Sequence, residues 1–474
     1  MKAKQWSIVL LLLLIAASLF FVQQLRGVPT LETIEAVSPF IWRQSLPIRS
    51  GDPRIAPIGG TEVRSLVDFD HKLFAAIGYW MDTESENPAL PGAQVLRLDT
   101  PGSEWQVDLE LRDRNPRGLR LYQAISTLQR VQFTVDSRGR QLATPADLLL
   151  AAVWKRGPDL DVFSRSAGPG ASWSKMTISE ETRGDQIRAF ALHKDQITGQ
   201  EIVFAGAKNS IFVGKFDTEH KNIVWNPQPE WQWHDTLNVE HPDRARVASF
   251  AECNGKLYAT SHAAIYERAD GASPTWNKVF ETTIHSAALH VTGLRGLTCV
   301  RDSTRSTNVL LVGVEDSPSR IYRIDPRETD PIGQYEATLE LDVSSFLTKA
   351  IGMQTTYAIV AYNDMTEYRY PEGACPRVLV GLEAITPQAR QSFGSLHFNP
   401  NGHYLLRDCA GNYALHQIRD LQIEPEPWLV SVRTFALSPF QADPPGTVYA
   451  GGFDANYNPV HNTAWLYKGV PTAR

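Results

Sequence analysis

The stretch from Val247 to Val279 sets a pattern that the rest of the chain copies. It runs Val-Ala-Ser-Phe-Ala-Glu-Cys, then Asn254-Gly255, then Lys256-Leu-Tyr-Ala-Thr, then Ala264-Ile-Tyr-Glu-Arg-Ala-Asp-Gly, then Thr275-Trp-Asn-Lys-Val. Four short runs of β-type residues are thus separated by turn residues, the composition expected of four antiparallel strands joined by hairpins. Related units recur about seven times, and a repeat of this length dictates a fold built from one stacked supersecondary unit.

The first run of each unit is Val63–Leu66, Leu119–Tyr122, Ile187–Phe190, Val247–Phe250, Leu294–Leu297, Gln354–Tyr357 and Val432–Phe435. The second is an apolar run ending in small residues: Leu73–Ala76, Leu149–Ala152, Val203–Gly206, Leu257–Thr260, Leu310–Gly313, Leu379–Gly381 and Val448–Gly451. Continuous apolar strands that end small fit sheets covered on both faces and crowded at an axis. Third runs include Val95–Asp99, Ile211–Val213, Ile265–Arg268, Ile321–Asp325 and Trp465–Lys468, and the outer fourth run is marked by Trp105, Trp173, Trp231 and Trp276. The last unit stops after its third run, while Phe40–Leu46 stands before the first unit as an orphan fourth run with Trp42. The fold expected is an all-β, seven-bladed β-propeller over 39–474, its ring closed by the N-terminal strand, which leaves no exposed sheet edge between the chain ends. Six or eight blades follow instead if Tyr404–Leu406 and Tyr413–Leu415 in the insert-rich sixth unit are divided differently.

Ahead of this, Lys2 and Lys4 precede an unbroken apolar run from Ile8 to Val22. Residues 1–24 read as a hydrophobic helix, either an uncleaved signal anchor or a signal peptide cleaved near Ala16-Ala17-Ser18, and 25–38 as a linker. Both readings export the propeller, to a periplasm or cell surface, since positive charge stays cytoplasmic. The four cysteines, Cys253, Cys299, Cys375 and Cys409, suit an oxidising compartment. Cys253 and Cys299 occupy similar places in consecutive units, where an inter-blade bridge or two buried thiols fit equally. No Asn-x-Ser/Thr acceptor occurs. A net charge of −6 argues against a nucleic-acid partner, which would need a basic face.

Two third-to-fourth-run turns, Asp99 to Trp105 and Asp270 to Trp276, resemble Asp-box hairpins, with Gly168 to Trp173 a weaker relative. Kelch- and Asp-box-type propellers use such turns structurally, which implies a carboxylate capping turn amides and a Trp packed between blades. Arg recurs at the head of the first run as Arg64, Arg120, Arg188, Arg295 and Arg433, with Ala248 and Thr355 in the remaining units. Five guanidinium groups converging on a channel would make an anion-binding mouth. The competing account has each Arg tying neighbouring blades, and its repetition favours that account. Asp-box turns with several Arg are similar to sialidases, which clamp a sugar carboxylate with three arginines. Here Arg54-Ile55-Ala56-Pro57 departs from their Phe/Tyr-Arg-Ile-Pro motif, and Asp364, Glu367 and Tyr368 are the only acid–base candidates that can be offered.

No His-x-His or His-Glu-x-x-His spacing marks a metal site, and no cofactor is predicted. Propeller lactonases hold calcium with Glu, Asn and Asp, and Asn363-Asp364 and Asp454-Ala455-Asn456 could supply such oxygens, although turn chemistry explains both equally. Trp225, Trp231 and Trp233 with Pro227 and Pro229, and the Tyr362–Pro371 loop, are candidates for stacking on a sugar or anchoring a partner, or else inter-blade filler. The chain therefore reads as a membrane-tethered binding or scaffold module for an envelope protein, glycan or anionic ligand. A glycosidase- or lactonase-like hydrolase at the channel mouth is the rival class, separable by an acid with a raised pKa beside the arginines. A broad exposed aromatic patch would instead mark a scaffold.

Overall fold

The computed structural model describes residues 38–46, 58–79, 92–157, 159–179, 186–232, 246–285, 293–302, 307–326, 335–352, 357–360, 365–385, 392–393, 396–397, 402–423, 429–453 and 463–472. The expected N-terminal helix and its membrane anchorage, the linker up to residue 37, Arg54–Pro57, Trp233, Thr355, Asn363-Asp364 and Asp454–Asn456 lie outside them. No helix among the described residues is long and apolar enough to cross a membrane.

The fold is all-β and propeller-like. Consecutive hairpins build four-stranded antiparallel sheets, as in the fourth sheet: Val247–Cys253, Lys256–Ser261, Ala264–Ala269 and Thr275–Glu281. Asn254 and Gly255 sit at positive φ in its first turn, which is why Asn-Gly punctuates the sequence there. The fifth sheet (Gly293–Arg301 to Glu336–Asp342) repeats the plan, and the third (Ala189–Lys194 to Asn222–Trp225) adds a short fifth strand, Trp231–Gln232. In the sixth sheet, His403–Arg407 and Tyr413–Gln417 pair as third and fourth strands next to Arg377–Ile385, so they are no added hairpin. First strands of successive sheets lie side by side: Glu62–Phe69 touches both Tyr122–Val135 and Ser431–Leu437, and Val247–Cys253 touches both Ala189–Lys194 and Gly293–Arg301.

The orphan strand behaves as its sequence suggests. Phe40–Leu46 pairs antiparallel with Trp465–Pro471, the last described strand, with Ile41 opposite Val470 and Trp42 opposite Gly469. Trp42 and Trp465 are fully buried there with Tyr404 and Phe435. Small residues at the ends of second strands also find their reason. A Cβ at Gly206 would stand 2.5 Å from Val247 Cγ1, and one at Gly451 would stand 2.7 Å from Val63 Cγ1. Each sheet narrows where the next first strand crosses it.

Two elements break the repeat. Tyr122–Val135 and Gln141–Lys155 form a long hairpin whose far end leaves the second sheet and lies on the third. There Phe133 stacks on Phe216 at 5.6 Å, and Ser137 N donates to Phe216 O at 2.7 Å. The helix Val343–Ile351 follows the fifth sheet, capped by Asp342 accepting from Ser345 N and ended by Gly352 at φ 68°. Its Val343, Phe346 and Leu347 pack between the fifth and sixth sheets.

Disulfides join Cys253 to Cys299, linking the fourth and fifth sheets, and Cys375 to Cys409 within the sixth.

Candidate functional site

A register slip interrupts the first strands Glu62–Phe69, Tyr122–Val135, Val247–Cys253, Gly293–Arg301 and Ser431–Leu437, while Ala189–Lys194 and Tyr357–Val360 pair without one. In the first and seventh sheets the extra residue is the arginine itself, between Val63 and Ser65 and between Val432 and Thr434. A bulge re-aims the side chain it carries. The second sheet departs from the expected register: Ile125 lies opposite Val153 and Thr127 opposite Ala152, so Ser126 occupies the position of Arg64. Its hydroxyl donates to Ile187 O at 2.7 Å. Arg120 lies ahead of the strand, six residues before Ser126, and stacks on Tyr79 at 4.4 Å. Arg188 does align with the repeat, its amide bonded to Gly206 O at 2.8 Å, and its side chain is half-buried.

Arg64, Arg295 and Arg433 converge on three glutamates that the sequence pattern did not single out. Arg64 Nε donates to Glu62, and Arg295 Nε to Glu315. Arg433 Nη2 lies 2.9 Å from Glu383 Oε2 and its Nε 4.0 Å from Glu62 Oε2, with Phe453 under the guanidinium at 4.6 Å. None of the six charged residues is more than 4% exposed. Three positive and three negative charges thus form one buried, balanced network. Burial pushes the Glu383 carboxyl above the usual glutamate range; Arg433 and Ser431 pull it down, and Glu315 and Glu62 add to the rise. The acid with a raised pKa beside the arginines is therefore present, and it is Glu383.

The other candidates fall elsewhere. Glu367 pairs with Arg369, and Tyr368 is buried against Phe40 under Arg377, both away from this network. Asp99 binds Arg97, and Asp270 binds Arg268, His193 and the Gln196 amide, while Ser103 Oγ serves the Thr100 amide. Asp99 thus turns back along its own strand, whereas Asp270 reaches His193 and Gln196 of the preceding sheet. Trp105, Trp173 and Trp276 do pack between sheets. Trp105 Nε1 donates to Ser45 at 3.0 Å, Trp173 Nε1 to Asp108 at 2.8 Å and Trp276 Nε1 to Glu230 at 3.1 Å. Asp108 and Glu230 also hold Arg165 and Arg268 from the following sheet. Glu340 repeats this clasp with Arg407 at 2.6 Å and Tyr413 at 3.1 Å. Trp231 fills the same kind of junction, 4.8 Å from Tyr266. Among the described residues the large exposed apolar side chains, Ile41, Ile197, Val224, Leu339, Leu421 and Leu437, include no aromatic ring.

His193 adds a titratable group between the third and fourth sheets. Fully buried, it sets Nε2 3.0 Å from Asp270 and Nδ1 3.4 Å from Glu252. Burial opposes its charge, but the two carboxylates prevail and hold its pKa above the ordinary histidine value. A raised histidine stabilises the fold fully below its unfolded pKa of about 6.5, and the contribution is lost as pH rises through the folded value. Thermal unfolding at about pH 6 and about pH 8 is expected to show a drop in melting temperature on going to the higher pH that shrinks in His193→Gln. Equal drops in the two proteins would mean that folding leaves the His193 pKa unchanged.

No family model matches the chain, and no curated protein matches it. Among solved structures the chain is similar to Sqt1 of Chaetomium thermophilum bound to the N-terminus of ribosomal protein L10, at 13% identity over 83% of each chain and a TM-score of 0.41. It is also similar to the BBS1N–ARL6DN complex, at 12% identity over 92% of this chain and 99% of the other, TM-score 0.43. A third is the NanB sialidase of Streptococcus pneumoniae, at 10% identity over 92% and 71%, TM-score 0.38.

Proposed function

We propose that the chain is an exported seven-bladed β-propeller, closed by the strand Phe40–Leu46, that serves as a binding module for a protein or glycan of the cell envelope. One observation carries this reading: Arg64, Arg295 and Arg433 are buried and each is met by a carboxylate of the chain itself. An arginine already matched in this way contributes to the packing of the ring and holds little attraction for an outside anion. Binding then falls to loops and sheet edges presented by a rigid frame. The two disulfides support export to an oxidising compartment. The apolar segment ahead of the propeller would hold it at the membrane, or be removed on the way out.

A second reading, a hydrolase acting on a glycoside or lactone, draws on Glu383, whose raised pKa beside Arg433 is what a proton donor requires. One experiment separates the two. The full chain and Glu383→Gln are assayed on a panel of chromogenic glycosides and lactones, and both are screened by thermal shift against sialic acid, glucuronic acid, a hexose phosphate, neutral sugars and calcium. No turnover is expected, and any ligand that raises the melting temperature should do so equally in both proteins. Turnover that disappears in a folded Glu383→Gln protein would replace the binding module with the hydrolase.

A further inference from the structure

The junction between the third and fourth sheets is closed differently from the others. At the remaining junctions a hydroxyl on the inner edge of one sheet is bonded to the backbone of the next. Ser126 Oγ donates to Ile187 O at 2.7 Å and Thr366 Oγ1 to Phe435 O at 3.3 Å, while Ser65 Oγ reaches Leu128 O at 3.5 Å. Ser249 Oγ accepts from Leu297 N at 3.2 Å, Thr298 Oγ1 from Met365 N at 3.1 Å and Thr434 Oγ1 from Leu66 N at 3.2 Å. The third sheet brings Arg188-Ala189-Phe190-Ala191 to the same place, so it has no hydroxyl to offer the fourth. Apolar packing is also thinnest here. Among the described residues seven buried apolar side chains fill this junction, Phe204, Val247 and Trp276 with them, and every other junction has thirteen or more. A groove of about 500 Å³ runs along it, between Asp195 and Thr198 on one side and Gly271 and Pro274 on the other.

Charge stands where the other junctions have hydroxyls and apolar contact. Arg268 of the fourth sheet lies 2.9 Å from Asp195 and 2.8 Å from Glu230 of the third, and 2.5 Å from Asp270 of its own turn. His193 crosses in the opposite direction, its Nε2 3.0 Å from Asp270 and its Nδ1 3.4 Å from Glu252. Three amides also donate across the junction: Val247 N to Lys208 O at 2.9 Å, Gln196 N to Asp270 at 2.8 Å and Gly271 N to Asp195 at 3.0 Å. Four carboxylates, Asp195, Glu230, Glu252 and Asp270, thus face one arginine and one histidine, and Lys194 next to them is exposed. Ions that have given up their water hold together only while their charges are matched. Protonated, His193 donates from both ring nitrogens and serves Asp270 and Glu252 together. Neutral, it donates from one, and a carboxylate loses its partner. The acids then outweigh the bases further, with Arg268 left as the one cation between the sheets.

We propose that the ring opens by a local, reversible separation of the third and fourth sheets, and that the proton on His193 holds this seam shut. The proposal concerns the frame and stands apart from the binding and hydrolase readings. In the open state the bonds from Val247, Gln196 and Gly271 are broken while the other junctions keep theirs. Burial opposes the charge of His193, but Glu252 and Asp270 prevail and hold its pKa above the ordinary histidine value. The closed junction thus binds the proton more tightly than an open one in which His193 meets water. Closure is strongest below about pH 6.5, the value for a solvated histidine, and weakens as the pH rises through the folded value.

Hydrogen exchange of the full chain tests this, read at single amides at about pH 6 and about pH 8 and corrected for the intrinsic acceleration with pH. At both pH values Val247 is expected to be less protected than Leu66, Leu297 and Met365, whose amides are held by hydroxyls at other junctions. Its protection should fall about threefold or more on going to the higher pH, with no comparable fall at those three amides, and the extra fall should vanish in His193→Gln. Ala189→Ser places a hydroxyl where Ser249 and Thr434 carry theirs, with the Phe250 amide in the place that Leu297 and Leu66 hold in the repeat. It changes no charge, and it should raise the protection of Val247 toward that of the other three amides at both pH values. Equal protection of all four amides in the unaltered chain would mean that they exchange only by global unfolding, and would overturn the seam. So would an Ala189→Ser chain in which Val247 exchanges as before, a result that stands even where His193→Gln fails to fold. A fall with pH that all four amides share, or that persists at Val247 in His193→Gln, would overturn the hold of the histidine on the seam.

Discussion

Arg433→Ala is expected to lower the stability of the chain by about 3–5 kcal/mol, the usual cost of breaking a buried ion pair by removing one partner. Arg433 is 1% exposed and stands between Glu383 and Glu62, which are 4% and 0% exposed. Alanine leaves Glu383 without its partner in a dry interior, while Glu62 keeps Arg64, and it also removes the guanidinium from the face of Phe453. The arrangement predicts a pH signature as well. Glu383 is already raised by burial, and without Arg433 it would rise further. A carboxyl with a folded pKa above its unfolded one stabilises the fold below the unfolded value, and that contribution is lost as pH rises through the folded value. The deficit of Arg433→Ala should therefore be larger near neutral pH than near pH 5, read from the midpoints of denaturant unfolding at constant m-value. Arg433→Met combined with Glu383→Leu should recover part of the loss, because the buried pair is replaced by apolar side chains while Glu62 keeps Arg64. A deficit below about 1 kcal/mol would mean that water reaches the cluster. The three arginines would then be available to an anion after all, and the channel would return as the binding site.

This cluster also measures what could be read from the sequence. The arginines stood out because they recur at one place in the repeat. Glu62, Glu315 and Glu383 did not, because each reaches the cluster from a different position: the first residue of a first strand, and the closing part of two second strands. Pairing across sheets is not periodic in the sequence even where the sheets are. The same holds for Asp108, Glu230 and Glu340, whose aromatic partners were visible as outer-strand markers while the acceptors belong to the preceding sheet. Strand runs and ring closure were legible for a simpler reason, since apolar runs separated by Asn-Gly-type turns specify local hairpins. Arg120 shows the limit of alignment by eye. Leu-Arg-Leu-Tyr mimics the first-run pattern, but the bulge at Ser126 fixes the true register six residues on, and bulges leave no mark in composition. The helix after Asp342 had its signals, an Asx cap and Gly352 at the far end, hidden by the strand-like spacing of the repeat around it.

Removing either disulfide is expected to cost about 4 kcal/mol, and the two losses should differ in what they loosen. The bridges close loops of 46 and 34 residues, and the entropy of closing such loops in the unfolded chain depends only weakly on length. Cys253–Cys299 joins strands of different sheets at a Cα–Cα distance of 5.3 Å, so in Cys253→Ala/Cys299→Ala the fourth and fifth sheets keep their apolar contact, among them Leu294, Leu297 and Tyr258, and hydrogen bonds such as Leu294 N to His262 O at 2.7 Å. Cys375–Cys409 ties the segment before the second strand of the sixth sheet to the turn between its third and fourth strands. Its loss in Cys375→Ala/Cys409→Ala leaves the junctions between sheets intact. Hydrogen exchange should therefore rise in the fourth and fifth sheets in the first variant and stay within the sixth in the second. Each variant keeps one bridge, so reductant should lower its melting temperature again, and the unaltered chain, which loses both bridges, should fall furthest when reduced. An unaltered chain whose melting temperature ignores reductant would carry four thiols, and export to an oxidising compartment would lose its support.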